Sequence, residues 1–179
     1  MKYLFKNGHL NIKYNIYNKI MTRGQIAYLA DSNSIFSIYI HYASDSDLSK
    51  ILPEYFNSDS EAEDLVMNGN DIRFIDSETG EVERYDKGGA KQITDDEPAD
   101  LFSELYDNAD RSAANYVYVW LEDKWVTLDM NKGRQYFVGT LLDQIRNNEP
   151  TSEVKTEEDD TELKEYINRQ WLHRAGIIK

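Results

Sequence analysis

The feature that most constrains the fold is a run of strand-forming residues late in the chain. Residues 115–121 read NYVYVWL, and this density of β-branched and aromatic side chains makes them the strongest predicted strand of the sequence. Glu122-Asp123-Lys124 supplies a turn, and Trp125 to Leu128 leads back. The segment therefore predicts a β-hairpin.

Two further pairs of short strands are predicted earlier in the chain. Gln25 to Leu29 and Ile35 to Tyr42 flank a run of turn-forming residues, Asp31-Ser32-Asn33-Ser34. Asp71 to Asp76 and Val82 to Tyr85 form the second pair. The connection between the two strands of each pair is short enough for a β-hairpin.

Helical patterns lie between and after these pairs, with apolar residues at helical spacing. They are Asp45 or Ser46 to about Phe56, with Pro53 inside; Ser58 or Ser60 to Gly69; a helix capped by Thr94, Asp95 or Asp96 that buries Leu101, Phe102, Leu105 and Tyr106; and Arg134 to Asn147. Lys87 to Lys91, KGGAK, is predicted to be a loop. Hairpins alternating with helices predict an α+β domain on a mostly antiparallel sheet with several packed helices.

The two ends of the chain differ in character from its middle. Residues 1–20 contain four lysines and no acid, whereas residues 149–160, EPTSEVKTEEDD, are polar and acidic. A final amphipathic helix is predicted after Thr161. We expect it to dock on the body, and the alternative is that it reaches a partner. We predict a basic N-terminal arm or extra strand at 1–20, an α+β core domain at 21–148, and an acidic linker with a C-terminal helix at 149–179. Met21 also opens a segment that is typical of a natural protein start. The sequence therefore leaves open whether translation begins at Met1 or at Met21.

Charge and composition narrow the classes of partner. The chain has 33 acidic and 20 basic residues, a net charge of −13, and such a field repels nucleic acid and anionic membranes but attracts basic partners. There is no cysteine, which excludes disulfides, thiolate nucleophiles and cysteine-based metal sites. No stretch approaches the roughly 20 apolar residues of a membrane span. We expect a cytoplasmic protein that contacts neither nucleic acid directly nor membrane.

Acidic residues gather on the third predicted helix. Asp100, Glu104 and Asp107 share one face at i, i+4 and i+7, and Asp110 extends it. A second patch in the linker consists of Glu157, Glu158, Asp159 and Asp160. These carboxylates are the candidate partner-binding residues, since they could occupy a basic groove in place of nucleic-acid phosphates. The other interpretation is an ordinary solvated acidic surface, which composition by itself favours.

Catalytic motifs are absent from the sequence. No GxSxG, HExxH or GxGxxG occurs, so we predict no catalytic residues and no cofactor. His41, Asp45 and Asp47 form an H-x3-D-x-D run that is a weak candidate for a divalent metal. A histidine at the end of a strand followed by helix-capping acids explains the same three residues without a metal.

Several motifs between Met21 and about Asp129, which is about 60% of the chain, are similar to those of a known protein family. They are Thr22-Arg23-Gly24-Gln25-Ile26-Ala27, the hairpin ending Ile38-Tyr39-Ile40-His41, the helix to Tyr55, the Leu65 to Asp71 segment, and Tyr116-Val117-Tyr118-Val119-Trp120 with Trp125. This part of the chain resembles a family of small, mostly uncharacterised proteins of phages and mobile elements. In that family the histidine precedes a Trp-Asp-Gly-Tyr-Pro run, where this chain has Tyr42-Ala43-Ser44-Asp45-Ser46.

The resemblance implies a phage or prophage setting and no known activity. Small acidic phage proteins without catalytic motifs are often inhibitors of host defence, of the anti-CRISPR or anti-restriction type. We therefore expect an inhibitor that binds a basic surface of a host nuclease or CRISPR effector. The alternatives are a small metal-assisted enzyme or ligand-binding protein centred on His41, and a structural or accessory phage protein that forms homo-oligomers.

Overall fold

The computed structural model describes residues 22–43 and 45–147, and the side chains of all of these except residues 45–47. The predicted arm at 1–20, linker and helix at 149–179, and acidic patch at 157–160 lie outside these residues. The predictions made for them stay predictions.

The described residues form seven strands and four α-helices, so the chain is α+β as predicted. The strands are β1 Gly24–Asp31, β2 Ser34–Ile40, β3 Ile72–Ile75, β4 Val82–Arg84, β5 Lys91–Thr94, β6 Tyr116–Leu121 and β7 Lys124–Asp129. The helices are α1 Asp45–Tyr55, α2 Asp59–Met67, α3 Pro98–Arg111 and α4 Arg134–Asn147, and a short 3-10 turn spans Met130–Lys132.

The seven strands form one mixed sheet, which corrects the prediction of a mostly antiparallel one. Its order is β4-β3-β2-β1-β6-β7, with β5 also paired to β2. The predicted hairpins β1–β2, β3–β4 and β6–β7 are antiparallel, but β1 pairs with β6 and β2 with β3 in parallel. Hairpin signals identify strands that are neighbours in sequence. The parallel contacts between hairpins depend instead on long crossover connections.

Strand β5 was not predicted, because its sequence KQIT offers one apolar residue. Ile93 is buried, whereas Lys91, Gln92 and Thr94 are exposed. The strand pairs antiparallel with the first half of β2, from Ser34 opposite Thr94 to Ser37 opposite Lys91. Pairing with β2, rather than any local pattern, thus makes this segment a strand.

Two layers of helices cover the sheet, and β6 shows why. Val117, Val119 and Leu121 point into a core that contains α3 and α4. Tyr118 and Trp120 point the opposite way, into a core that contains α1 and α2. A strand buried on both faces reads as a continuous apolar run, which is the pattern of NYVYVWL.

A helix begins where the sequence predicts when its N-terminal capping residues form a clear motif. Ser58 caps α2 with a capping box: its hydroxyl accepts the Glu61 N–H at 3.4 Å, and the Glu61 carboxylate accepts the Ser58 N–H at 3.1 Å. The start of α3 was predicted too early. The helix begins at Pro98 with Glu97 as N-cap, and the Asp95 carboxylate accepts the Glu97 N–H at 2.9 Å.

Candidate functional site

The predicted acidic residues of α3 divide into free and paired carboxylates. Asp100, Glu104 and Asp110 are exposed, and their carboxylates have no hydrogen bond or ion pair within the described part of the chain. We call these three residues the α3 acidic face. With a rise of about 1.5 Å per residue, they span about 15 Å along the helix.

Asp107 is not equivalent to the other three. Its carboxylate forms an ion pair with the Arg134 guanidinium of α4. The same guanidinium lies 5.4 Å from the ring centroid of Tyr106, whose ring meets Phe137 edge-to-face. Asp107 therefore helps to dock α4 on α3, and its charge is partly neutralised within the molecule.

A polar network beneath α3 fixes which side of the helix faces solvent. The Asn108 side-chain amide donates to Gln25 Oε1 at 3.2 Å and to Ser37 Oγ at 3.1 Å. Lys91 Nζ donates to the carbonyl oxygen of the same amide at 2.8 Å. Since these bonds join α3 to β1, β2 and β5, they hold the rotation of the helix with the α3 acidic face outward. The exposed Arg111 directly follows Asp110 in the chain.

His41 lies directly after β2 among aromatic rings. Its Nδ1 is 3.3 Å from the Tyr39 hydroxyl, and its ring meets Tyr42 and Tyr85 edge-to-face at 4.6 and 6.2 Å between centroids. Among the residues with described side chains, no three histidines, aspartates or glutamates are grouped to hold a metal. The side chains of Asp45 and Asp47 are outside that set, so the metal hypothesis stays a prediction.

A cleft of about 240 Å³ opens beside His41 and is lined by Arg23, His41, Ala113 and Asn115. It lies where β1 and β6 begin side by side and where the antiparallel β2 ends. Arg23 precedes β1, His41 follows β2, and Asn115 precedes β6. Sequence reasoning identified His41 but missed Arg23 and Asn115, which are 92 residues apart and meet only through the parallel pairing of β1 with β6.

Hydrogen bonds fix the polar groups of this cleft. Asn115 Oδ1 accepts the Arg23 backbone N–H at 3.2 Å, and the Asn115 N–H donates to the Arg23 carbonyl at 2.7 Å. Within the described residues, Asn115 Nδ2 has no acceptor and no carboxylate pairs with the exposed Arg23 guanidinium. Both groups are thus donors available to the cleft.

The Tyr39 hydroxyl lies 3.3 Å from Nδ1 of the His41 ring and can donate a hydrogen bond to it. Burial raises the pKa of Tyr39; Arg23 opposes this effect, and Tyr85 and Asp71 add to it. The hydroxyl therefore stays protonated at neutral pH and can donate to His41 Nδ1. In that arrangement Nε2 carries the ring proton and is a hydrogen-bond donor.

No protein-family model matches the chain, and no curated protein or solved structure is significantly similar to it. The resemblance to phage proteins therefore stays a prediction. None of the described helices is long and apolar enough to cross a lipid bilayer.

Proposed function

We propose that this protein is a non-catalytic binding protein whose α3 acidic face attaches to a basic surface of a partner. The partner class that we propose is a nucleic-acid-processing complex of a phage host, such as a nuclease or CRISPR effector, which the protein would inhibit. The observation that carries the proposal is the exposure of Asp100, Glu104 and Asp110 without a cationic partner in the described structure.

Charge spacing limits how the face could act. It offers three unpaired charges over about 15 Å, whereas duplex DNA of that length carries about nine phosphates. The face is therefore too sparse to replace a long stretch of duplex. It suits a local patch of lysines or arginines, and the residues at 157–160 would have to add to it for wider nucleic-acid mimicry.

The energetics of such a contact predict its behaviour in salt. Charges at the rim of an interface mainly raise the association rate and set specificity, and salt screens them within about 10 Å at 0.1 M. We therefore expect the association to weaken steeply as salt is raised. Affinity at high salt would have to come from apolar anchors elsewhere in the interface.

The test is capture of partners from nuclease-treated bacterial lysate at low and high salt, with a charge-swap pair. Asp100→Lys with Glu104→Lys reverses two charges of the α3 acidic face and leaves the Asp107–Arg134 ion pair intact. Glu63→Lys with Glu81→Lys makes the same change in net charge at exposed sites on α2 and before β4. Both variants should keep the wild-type circular dichroism spectrum.

We expect the wild type and the α2–β4 control to capture a basic nucleic-acid-processing protein at low salt, and the α3 variant to lose it. Equal capture by all three proteins would contradict the proposal. Capture of this protein alone would favour the homo-oligomeric structural role instead.

A further inference from the structure

We propose that the cleft lined by Arg23, His41 and Asn115 is a binding site for a small ligand that carries a phosphate or carboxylate group. The proposal is independent of the α3 acidic face, because it concerns different side chains at the end of the sheet where β1 and β6 begin.

The chemistry of the lining defines the ligand class. Arg23 presents a planar guanidinium with N–H groups that match two oxygens of a carboxylate or phosphate. Asn115 presents its amide Nδ2, since its Oδ1 is held by the Arg23 backbone N–H. His41 presents Nε2 when Nδ1 accepts from Tyr39. Three donors from three chain segments thus meet at one cleft.

Two negative features near the cleft, Asp71 and the carbonyl end of α3, accept hydrogen bonds from backbone N–H groups. Asp71 contributes to the field at Tyr39, but its Oδ1 accepts the Gly89 N–H at 3.2 Å. The last turn of α3 also ends at the cleft. Its carbonyls at Asn108, Ala109 and Asp110 accept the N–H groups of residues 112–114. Arg23 is the one arginine or lysine among the four described residues that line the cleft, in a chain whose net charge is −13.

The backbone at the cleft is held in an uncommon conformation. Ala113 has φ of 53°, in the left-handed region that non-glycine residues seldom adopt. This residue turns the chain from α3 into β6, so that Asn115 reaches Arg23. A left-handed residue just after the C-cap is a common way to end a helix.

The aromatic neighbours hold His41 in place. Tyr42 and Tyr85 contact its ring edge-to-face, and Tyr39 is hydrogen-bonded to Nδ1. A ring fixed on several sides loses little freedom when it binds, which favours affinity for a small ligand.

The test is an NMR titration of the full chain with orthophosphate and, separately, with acetate, in Tris-chloride at constant ionic strength. We expect saturable shifts of the Asn115 side-chain amide and of the Arg23 and His41 backbone amides with at least one probe. Saturation by phosphate alone would assign a phosphate ligand, saturation by acetate alone a carboxylate ligand, and saturation by both a general oxyanion site. No saturable shift with either probe would overturn the proposal.

Matched variants separate the site from general charge effects. Arg23→Gln should weaken binding by about tenfold or more, equivalent to about 1.4 kcal/mol. Asn115→Asp keeps the Oδ1 acceptor, replaces the Nδ2 donor with a charged oxygen, and should weaken binding at least as much. Arg146→Gln is the control. It removes an exposed cation whose Nη1 lies 4.0 Å from Asp143 Oδ1, and it should change the affinity for the probe by less than about twofold. Equal losses in Arg23→Gln and Arg146→Gln would overturn the proposal.

Discussion

At the scale of single residues, Asp59 connects a helix to the sheet through aromatic donors. Its Oδ1 accepts the Trp120 indole N–H at 3.0 Å, and its Oδ2 accepts the Tyr28 hydroxyl at 3.1 Å. Both rings are almost fully buried, on β6 and β1 respectively. Tyr and Trp can bury a ring while bonding through a polar tip, and this chain uses them in that way.

Asp59→Asn should therefore destabilise the fold. The amide keeps one acceptor oxygen for Trp120 and turns an NH2 group toward Tyr28, whose hydroxyl must then accept instead of donate. Both hydrogen bonds lose the carboxylate charge that strengthens them. We expect the free energy of unfolding in urea to fall by about 1–3 kcal/mol. Glu63→Gln, an exposed position on the same helix, is the control and should change it by less than about 0.5 kcal/mol. Equal effects of the two variants would show that Asp59 has no such role.

At the scale of elements, the start of α2 depends on one carboxylate. The Ser58 hydroxyl donates to Glu61 Oε2 at 2.9 Å, and the backbone N–H of Asn57 donates to the same oxygen at 3.0 Å. The Ser58 hydroxyl first, and then the Asn57 N–H, lower the pKa of Glu61 in the folded protein. The ionised form is therefore the one that stabilises this helix.

The sign of the pH effect follows from that shift. Because the folded-state pKa is below the unfolded value of about 4.3, the stabilisation is fully present above pH 4.3 and is lost as pH falls through the folded-state pKa. Glu61→Gln should lower the free energy of unfolding at pH 7, and the difference from wild type should shrink near pH 3. Urea unfolding at the two pH values measures both. A difference that stays constant with pH would contradict this explanation.

At the scale of the whole molecule, one sheet joins two cores. The cluster under α3 and α4 and the cluster under α1 and α2 share strands β1, β2 and β6. Each of these strands has buried residues directed to both faces, so neither core can be lost without disturbing the other. Residues 22–147 contain both clusters.

A chain comprising residues 22–147 should consequently unfold in one cooperative step. Near-ultraviolet circular dichroism reports the packing of Trp120 and Trp125, and far-ultraviolet circular dichroism reports the backbone. We expect their thermal transitions to coincide. Two separate transitions, or a fragment without a near-ultraviolet signal, would show that the shared sheet does not couple the two cores.

The sequence predicted features that depend on neighbours along the chain. The three hairpins, the Ser58 cap, the helix from Arg134 to Asn147 and the strand at NYVYVWL all follow from local spacing and turn chemistry. Position along a helix also indicated which acids share a face. The ion pair between Asp107 and Arg134 could not be predicted in this way, because Arg134 lies on a different helix.

Tertiary structure decided what depends on distant pairings. Strand β5 exists because β2 lies beside it, and the sheet is mixed because β1 and β6 run parallel. The same pairing brings Arg23 to Asn115 across 92 residues and so creates the cleft. Local signals reflect the preferences of adjacent residues. The adjacency of strands that are distant in sequence depends instead on backbone pairing between them and on burial of both sheet faces beneath helices.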